Sequence, residues 1–124
     1  DIEEVRKMKI SEIQVFDKST NVNSFDLLGK SMWLDKSTRV GLFNSISIEK
    51  NAGKSDTVLW YDAIKYIIPI FDALAMLNAL ELYALNCYNV TQSHISAVKA
   101  LQTIEEIENY DYTVGYPVKL SFPG

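Results

Sequence analysis

The feature that most constrains the fold of this chain is a long apolar stretch over residues 69–90, in which alanine and leucine are the commonest residues. Its few polar residues leave no continuous polar face, so we predict a helix from about Asp72 to Asn89 that the rest of the domain surrounds. Asp72 is placed to cap the start of this helix, and Asn89 tolerates the left-handed conformation that ends one. Leu77 and Leu82 are expected in the core. A central carboxylate and several amides would be costly in hydrocarbon, which favours a buried core helix over a membrane span.

The length and the charge of the chain narrow its class. A chain of 124 residues can bury one sizeable core, so we predict a single domain over residues 1–124. Twelve basic and 16 acidic residues give a net charge of −4 without any basic block, which argues against a nucleic-acid partner. The first residues are charged and carry no apolar leader segment, so no signal peptide is predicted. We expect the chain to be part of a longer protein, with residues 1–8 either a helical turn or a disordered lead-in.

Short runs of β-forming residues predict two antiparallel elements. Residues 10–15, 25–27 and 31–34 alternate with turn residues and predict a three-stranded meander. Residues 57–61 and 64–68 predict a hairpin around Asp62 and Ala63. Because alanine is disfavoured at positive φ, this connection is predicted to contain two residues or more. A last strand-like alternation covers residues 118–122.

Capping signals place three further helices. Asp35 is a good N-cap for a helix over residues 36–52, against which the central helix is expected to pack. Thr91 is predicted to cap a third helix, and the capping-box spacing of Thr103 and Glu106 predicts a short fourth one. The predicted class is therefore α+β, with a small antiparallel β-meander and a β-hairpin packed with three to four helices around a buried central helix.

The chain carries one cysteine and one histidine, which leaves little material for side-chain chemistry. Cys87 lies inside the apolar helix and is predicted to be a small buried hydrophobe. His94 has no ligand-type neighbours at a zinc spacing, so we predict a surface or capping histidine. Because no acid, base and nucleophile occur in a recognisable pattern, we predict no catalytic residues, no metal site and no cofactor. The chain is expected not to be an enzyme.

Aromatic residues are the more informative group, since seven tyrosines and two tryptophans are many for this length. Such residues anchor interfaces because each combines a large apolar body with a polar tip, but they also pack loops onto a core. The sequence leaves both interpretations open. The candidate interface residues are Trp60 and Tyr66 from the hairpin, and Tyr110, Tyr112 and Tyr116 from residues 110–117, which we call the closing loop.

Several segments after Met8 carry a family resemblance through their order and spacing. They are residues 33–42, 57–60, 80–84, 87–91, 94, 98–101, 110–112 and 115–117. With these segments, the chain resembles a family of uncharacterised domains that phages and prophages encode in tail-fibre and tail-fibre-assembly reading frames. The family has no established activity, so the resemblance carries over no catalytic residue.

The resemblance implies a structural or interaction domain of a phage or prophage tail or tail-fibre protein. The alternatives are a tail-fibre assembly factor that binds transiently and, as a third, a small hydrolase that acts on host glycan. The implied partners are other tail or fibre subunits, including further copies in a homo-oligomer, without nucleic acid and without membrane insertion. The implied location is the virion, or the cytoplasm of the host bacterium during assembly.

Overall fold

The computed structural model describes residues 1–123 and confirms the α+β class. Over those residues, four helices and five short strands follow one another along the chain. Their order is α1 (Ile2–Asp17), β1 (Ser24–Leu27), β2 (Lys30–Trp33), α2 (Lys36–Asn51), β3 (Asp56–Tyr61), β4 (Ile64–Pro69), α3 (Ile70–Ala100), α4 (Ile104–Glu108) and β5 (Leu120–Phe122).

The residues group into two compact units. The helical unit comprises Asp1–Asn23 and Tyr83–Lys119, and therefore contains α1, α4 and the second part of α3. The mixed unit comprises Ser24–Leu82 together with strand β5, and contains α2, all five strands and the first part of α3. Each unit has its own cluster of buried apolar side chains. The prediction of one domain over the whole chain stays a prediction.

The predicted first strand over residues 10–15 is wrong, because these residues belong to helix α1. The Asp1 carboxylate caps the helix by accepting a hydrogen bond from the Glu3 amide at 3.0 Å. Ile13 is fully buried, and its apolar neighbours recur at helical spacing along one face. That face is formed by Ile2, Val5, Ile10 and Ile13. The short window that suggested alternation was therefore part of a longer pattern with a period near 3.6.

The sheet of the mixed unit has the strand order β2-β1-β5. Strands β1 and β2 pair antiparallel across Leu28 and Gly29, which both have positive φ and so form a tight two-residue turn. Strand β5 lies parallel to β1, with Phe122 opposite Leu27. The predicted strands over residues 25–27, 31–34 and 118–122 are thus present. The third strand of this sheet, however, comes from the end of the chain and makes the sheet mixed.

Strands β3 and β4 form the predicted hairpin with a two-residue turn. Asp62 and Ala63 have φ values of 53° and 60°, so the turn accepts the positive φ that alanine disfavours, and the connection contains only these two residues. Thr57 and Leu59 are buried, whereas Val58 and Trp60, which alternate with them along β3, are exposed. The hairpin therefore packs one face on the core of the mixed unit and leaves the other face open.

Helix α2 confirms the predicted helix over residues 36–52. The Asp35 carboxylate accepts a hydrogen bond from the Thr38 amide at 2.7 Å, and this bond lowers the pKa of Asp35 below its usual value. Buried Arg39 donates to Glu81 of α3 at 2.9 Å and to the Leu34 carbonyl at 3.1 Å. This ion pair links α2 to the first part of α3, as the predicted packing of these helices requires.

Helix α3 is one continuous helix of 31 residues, so three predictions about its ends are wrong. It begins at Ile70, directly after β4, and Asp72 lies in its first turn instead of capping it. It neither ends near Asn89 nor restarts at Thr91. No glycine or proline interrupts the chain there, and the Thr91 hydroxyl bonds a distant side chain instead of a cap amide.

The exposure of α3 differs from the predicted all-round burial. Leu77 is 1% exposed, but Leu82 is 66% exposed, so its predicted place in the core is wrong. Phe71, Leu85 and Tyr88 are exposed as well. By length and composition alone, α3 is a helix that could cross a membrane, and 39% of its most apolar window is buried in the structure.

Helix α4 confirms the predicted short helix and its cap. The Thr103 hydroxyl accepts from the Glu106 amide at 3.1 Å. Ile107 is fully buried with Ile13, Ile95 and Val98 in the core of the helical unit. This core fixes the position of the closing loop that follows α4.

Candidate interaction site

The outward side of the β3–β4 hairpin carries an apolar patch. Val58 pairs with Ile67, and Trp60 pairs with Lys65 on the neighbouring row. The two rows lie about 7 Å apart along the strands, so these four side chains form one contiguous area. Trp60 is 63% exposed and Ile67 65% exposed. We refer to Val58, Trp60, Lys65 and Ile67 as the hairpin face.

The inward side of the same hairpin serves the core. Tyr66 is paired with Leu59, is half-buried and packs against the apolar cluster of the mixed unit. The Tyr61 hydroxyl accepts a hydrogen bond from the Trp33 amide at 3.1 Å. The structure therefore places Trp60 and Tyr66, two of the candidate interface residues, on opposite sides of the hairpin, and Tyr66 is engaged in packing.

An apolar pocket of about 400 Å³ adjoins the hairpin face. Ile67 belongs to both, so the two surfaces are continuous. Of the residues that line the pocket, Asp72 is the one that carries a charge. The lining comes from β1, β4, α3 and the end of the described chain: Leu27, Leu28, Ile67, Ile68, Pro69, Asp72, Ala75, Met76, Phe122 and Pro123. We refer to this cavity as the apolar pocket.

His94 is buried in the helical unit, so the predicted surface or capping histidine is wrong. Its Nδ1 lies 2.6 Å from the Tyr110 hydroxyl, and its Nε2 lies 2.8 Å from the Val114 carbonyl oxygen. Since a carbonyl only accepts, Nε2 carries a proton and donates to Val114, while Nδ1 shares its hydrogen bond with the Tyr110 hydroxyl. His94 thus ties the closing loop to α3.

Tyr116 belongs to a second set of hydrogen bonds in the helical unit. The Thr91 hydroxyl donates to the Asp17 carboxylate at 2.8 Å, which leaves its oxygen to accept from the Tyr116 hydroxyl at 2.6 Å. Burial raises the pKa of Tyr116. Its ring also contacts Phe16, with 5.7 Å between the centroids. Tyr116 therefore joins the loop to both α1 and α3.

Tyr112 packs on α1. Its ring lies edge-on to Phe16 with centroids 5.5 Å apart, and the Lys9 ammonium is 5.7 Å from its centroid. Its hydroxyl is 3.4 Å from the Glu12 carboxylate. All three tyrosines of the closing loop are thus engaged inside the helical unit, and Trp60 is the most exposed of the five candidate interface residues.

Tyr83 and Cys87 lie one turn apart on α3. Cys87 is fully buried, which confirms the prediction of a buried cysteine. The Tyr83 hydroxyl donates to the Pro117 carbonyl at 3.3 Å, and burial raises its pKa to about 12. Residues 1–123 contain no group of three His, Cys, Asp or Glu side chains that could hold a metal ion.

Sequence reasoning missed the contribution of Val58 and Ile67 to the hairpin face and missed the apolar pocket entirely. The signal for the former was present, because the run over residues 57–61 places apolar residues at both odd and even positions. A strand that is apolar on both faces is typical of a sheet covered on both sides. The pocket had no such signal, since its walls come from three separate stretches of the chain, residues 27–28, 67–76 and 122–123.

No protein-family model, no curated protein and no solved structure matches this chain.

Proposed function

We propose that this chain is a non-enzymatic protein-interaction domain of a phage or prophage tail or tail-fibre protein. The observation that supports it best is the hairpin face, where a two-stranded sheet exposes Val58, Trp60 and Ile67 on one side. Large apolar side chains that gather on one open surface mark protein–protein contact sites more often than other surfaces do. The tail assignment itself rests on the family resemblance.

The chemistry of the hairpin face fits a protein partner. Tryptophan is enriched among the residues that contribute most to binding, because its ring buries a large area with few rotatable bonds. Lys65 beside Trp60 supplies a charge at the border of the apolar area, as is typical of an interface with a polar rim. In contrast, the tyrosines of the closing loop already have partners inside the helical unit.

The proposed partners are tail or fibre subunits. Under this proposal, the chain acts in the virion or, before release, in the cytoplasm of the host bacterium. The hairpin face would stabilise a contact between subunits, because its apolar area is removed from water when the partner binds.

The test is a substitution on the hairpin face in a phage that carries this reading frame. Trp60→Ser should lower the yield of infectious particles and the amount of this chain in purified virions, since the contact loses its largest apolar side chain. Val118→Ser is the matched control, because Val118 is 89% exposed but belongs to the helical unit and not to the hairpin face.

Three outcomes decide between the functions. Incorporation that falls with Trp60→Ser but not with Val118→Ser supports a tail component. A chain that is absent from virions, but whose Trp60→Ser variant still lowers particle yield, indicates an assembly factor instead. Normal yield and incorporation with both variants would overturn the proposal.

A further inference from the structure

The hairpin face and the apolar pocket are complementary to each other in chemistry. The hairpin face presents an exposed indole, Trp60, with the ammonium of Lys65 directly across the strands. The apolar pocket has apolar walls and a single carboxylate, Asp72. An aromatic ring beside a cation is the ligand that such a pocket fits.

Extending the proposed function, which this step assumes, we propose that the partner of this surface is a second copy of the chain. In the dimer, Trp60 of each copy enters the apolar pocket of the other, and Lys65 of each copy pairs with Asp72 of the other. A two-fold axis between Trp60 and the pocket relates the copies, so one contact implies its reciprocal.

The local geometry allows this exchange. Trp60 and Ile67 are diagonal neighbours on the same face of the hairpin, and Ile67 also lines the apolar pocket. In the proposed dimer, a two-fold axis close to Ile67 places each indole over the opposite pocket. A volume of about 400 Å³ lies within the range of pockets that enclose an organic ligand and suffices for one indole.

Charge favours the same pairing. Among the described residues 1–123, neither Lys65 nor Asp72 takes part in an ion pair. In the reciprocal arrangement Lys65 of each copy meets Asp72 of the other, which yields two ion pairs per dimer. A partner with an acidic residue beside its aromatic anchor would instead be repelled by Asp72.

The size of the surface sets the expected affinity. Trp60 presents roughly 150 Å² and is joined by Val58, Ile67 and the pocket walls, which places the contact at the low end of specific interfaces. We therefore expect a dissociation constant of about 1–100 μM, with reversible exchange between monomer and dimer.

The first experiment measures self-association of the purified chain by sedimentation equilibrium. Trp60→Ala should weaken the dimer by about tenfold or more, because it removes the anchor. Ala75→Phe should weaken it to a similar extent by filling the pocket from an exposed position of α3. Phe71→Ser is the control, since Phe71 is 82% exposed on the same helix but does not line the apolar pocket.

The second experiment reverses charges and identifies the partner as a second copy. Lys65→Glu and Asp72→Lys should each weaken the dimer by about 3- to 30-fold, and the double variant should recover most of the loss because both ion pairs are restored in reverse. A mixture of the two single variants should form a heterodimer more readily than either forms a homodimer. Thermal melting of each variant checks that the monomer remains folded.

The outcomes separate this inference from the proposed function. A chain that stays monomeric at several hundred micromolar, or a double variant without recovery, overturns the reciprocal dimer. If Trp60→Ser still lowers virion incorporation in that case, the hairpin face binds a different tail protein and the proposed function stands. Self-association that is abolished by Trp60→Ala and by Ala75→Phe, with recovery in the charge-reversed pair, supports the dimer.

Discussion

In the helical unit, Tyr110, Tyr112 and Tyr116 are half-buried and each hydroxyl has a partner, whereas in the mixed unit Trp60 projects an uncovered indole from the hairpin. Both regions concentrate aromatic residues in a segment of few residues. They differ in what surrounds the rings. The closing loop folds onto two helices that offer acceptors, but a two-stranded hairpin has one face for its own core and one that remains open.

The difference teaches that aromatic content alone does not locate an interface. A tyrosine with a buried hydrogen bond contributes to the fold, since breaking that bond leaves a polar group unpaired in the interior. An exposed tryptophan contributes little to the fold and is available for binding. The following experiments test this division, from the largest expected change in stability to the smallest.

The largest change in the free energy of unfolding is expected in α3, whose sequence is apolar on almost every face. Leu77→Ala should lower the free energy of unfolding by about 2–5 kcal/mol, because Leu77 is buried and its removal leaves a cavity. Leu82→Ala should change it by less than about 0.5 kcal/mol, because Leu82 is exposed. Urea denaturation of both variants measures the free energy of unfolding. An equal decrease in the two variants would contradict the burial of Leu77 and the exposure of Leu82.

The next prediction compares one aromatic residue of the closing loop with one of the hairpin face. Tyr116→Ala should destabilise the protein by about 2 kcal/mol or more, since it removes ring packing on Phe16 and the hydrogen bond to Thr91. Trp60→Ala should cost less than about 1 kcal/mol, the worth of an exposed cross-strand pair. The comparison of the regions fails if Trp60→Ala is the more destabilising change in urea denaturation.

A smaller change isolates one hydrogen bond of the closing loop. Tyr110→Phe keeps the ring but leaves Nδ1 of buried His94 without its hydrogen-bond partner, so we expect a loss of about 1–3 kcal/mol. Tyr88→Phe removes a hydroxyl from an exposed tyrosine on the same helix as His94 and should be nearly neutral. Equal stability of the two variants would mean that the Tyr110 hydroxyl does not contribute to the fold.

The last prediction concerns the loss of stability in alkaline solution, where the buried tyrosines begin to lose their protons. Burial raises the pKa of Tyr83 to about 12, and also raises the pKa values of Tyr110 and Tyr116. Because the folded pKa exceeds the unfolded value near 10, the folded state keeps these protons longer. This contribution to stability is complete below about pH 10 and is lost as pH rises toward about 12.

The measurement is urea denaturation at a series of pH values, with tyrosinate absorbance followed in parallel. Tyr83→Phe should make the alkaline loss of stability less steep, because one of the titrating groups is removed. Tyr88→Phe should leave the steepness unchanged, since Tyr88 is exposed. An identical pH dependence in the native protein and in Tyr83→Phe would contradict the role of burial at Tyr83.

Local sequence signals predicted the elements whose ends are set by nearby residues. Asp35 caps α2 through the amide of Thr38, and Thr103 caps α4 through the amide of Glu106, in each case three residues away. The β3–β4 hairpin follows equally from two β-rich runs on either side of Asp62 and Ala63. Interactions over so few residues are encoded in the sequence window itself.

The errors occur where local signals were ambiguous. Thr91 looks like an N-cap, but α3 continues through it because its hydroxyl finds Asp17, which is 74 residues away. His94 looks like a surface residue, but the loop after α4 covers it. A polar residue in a helix can serve as a cap, a surface group or a buried partner, and distant parts of the chain decide which.

By itself, the sequence determined the α+β class, helices α2 and α4, the β-hairpin and the burial of Cys87, because periodicity and capping act over one or two turns. Only the tertiary structure decided that α3 is continuous through Thr91 and that β5 pairs with β1. It also decided which aromatic rings are enclosed and that Trp60 remains open beside the apolar pocket. The physical reason is that burial depends on groups brought together from separate parts of the chain, and that information is not contained in any single segment.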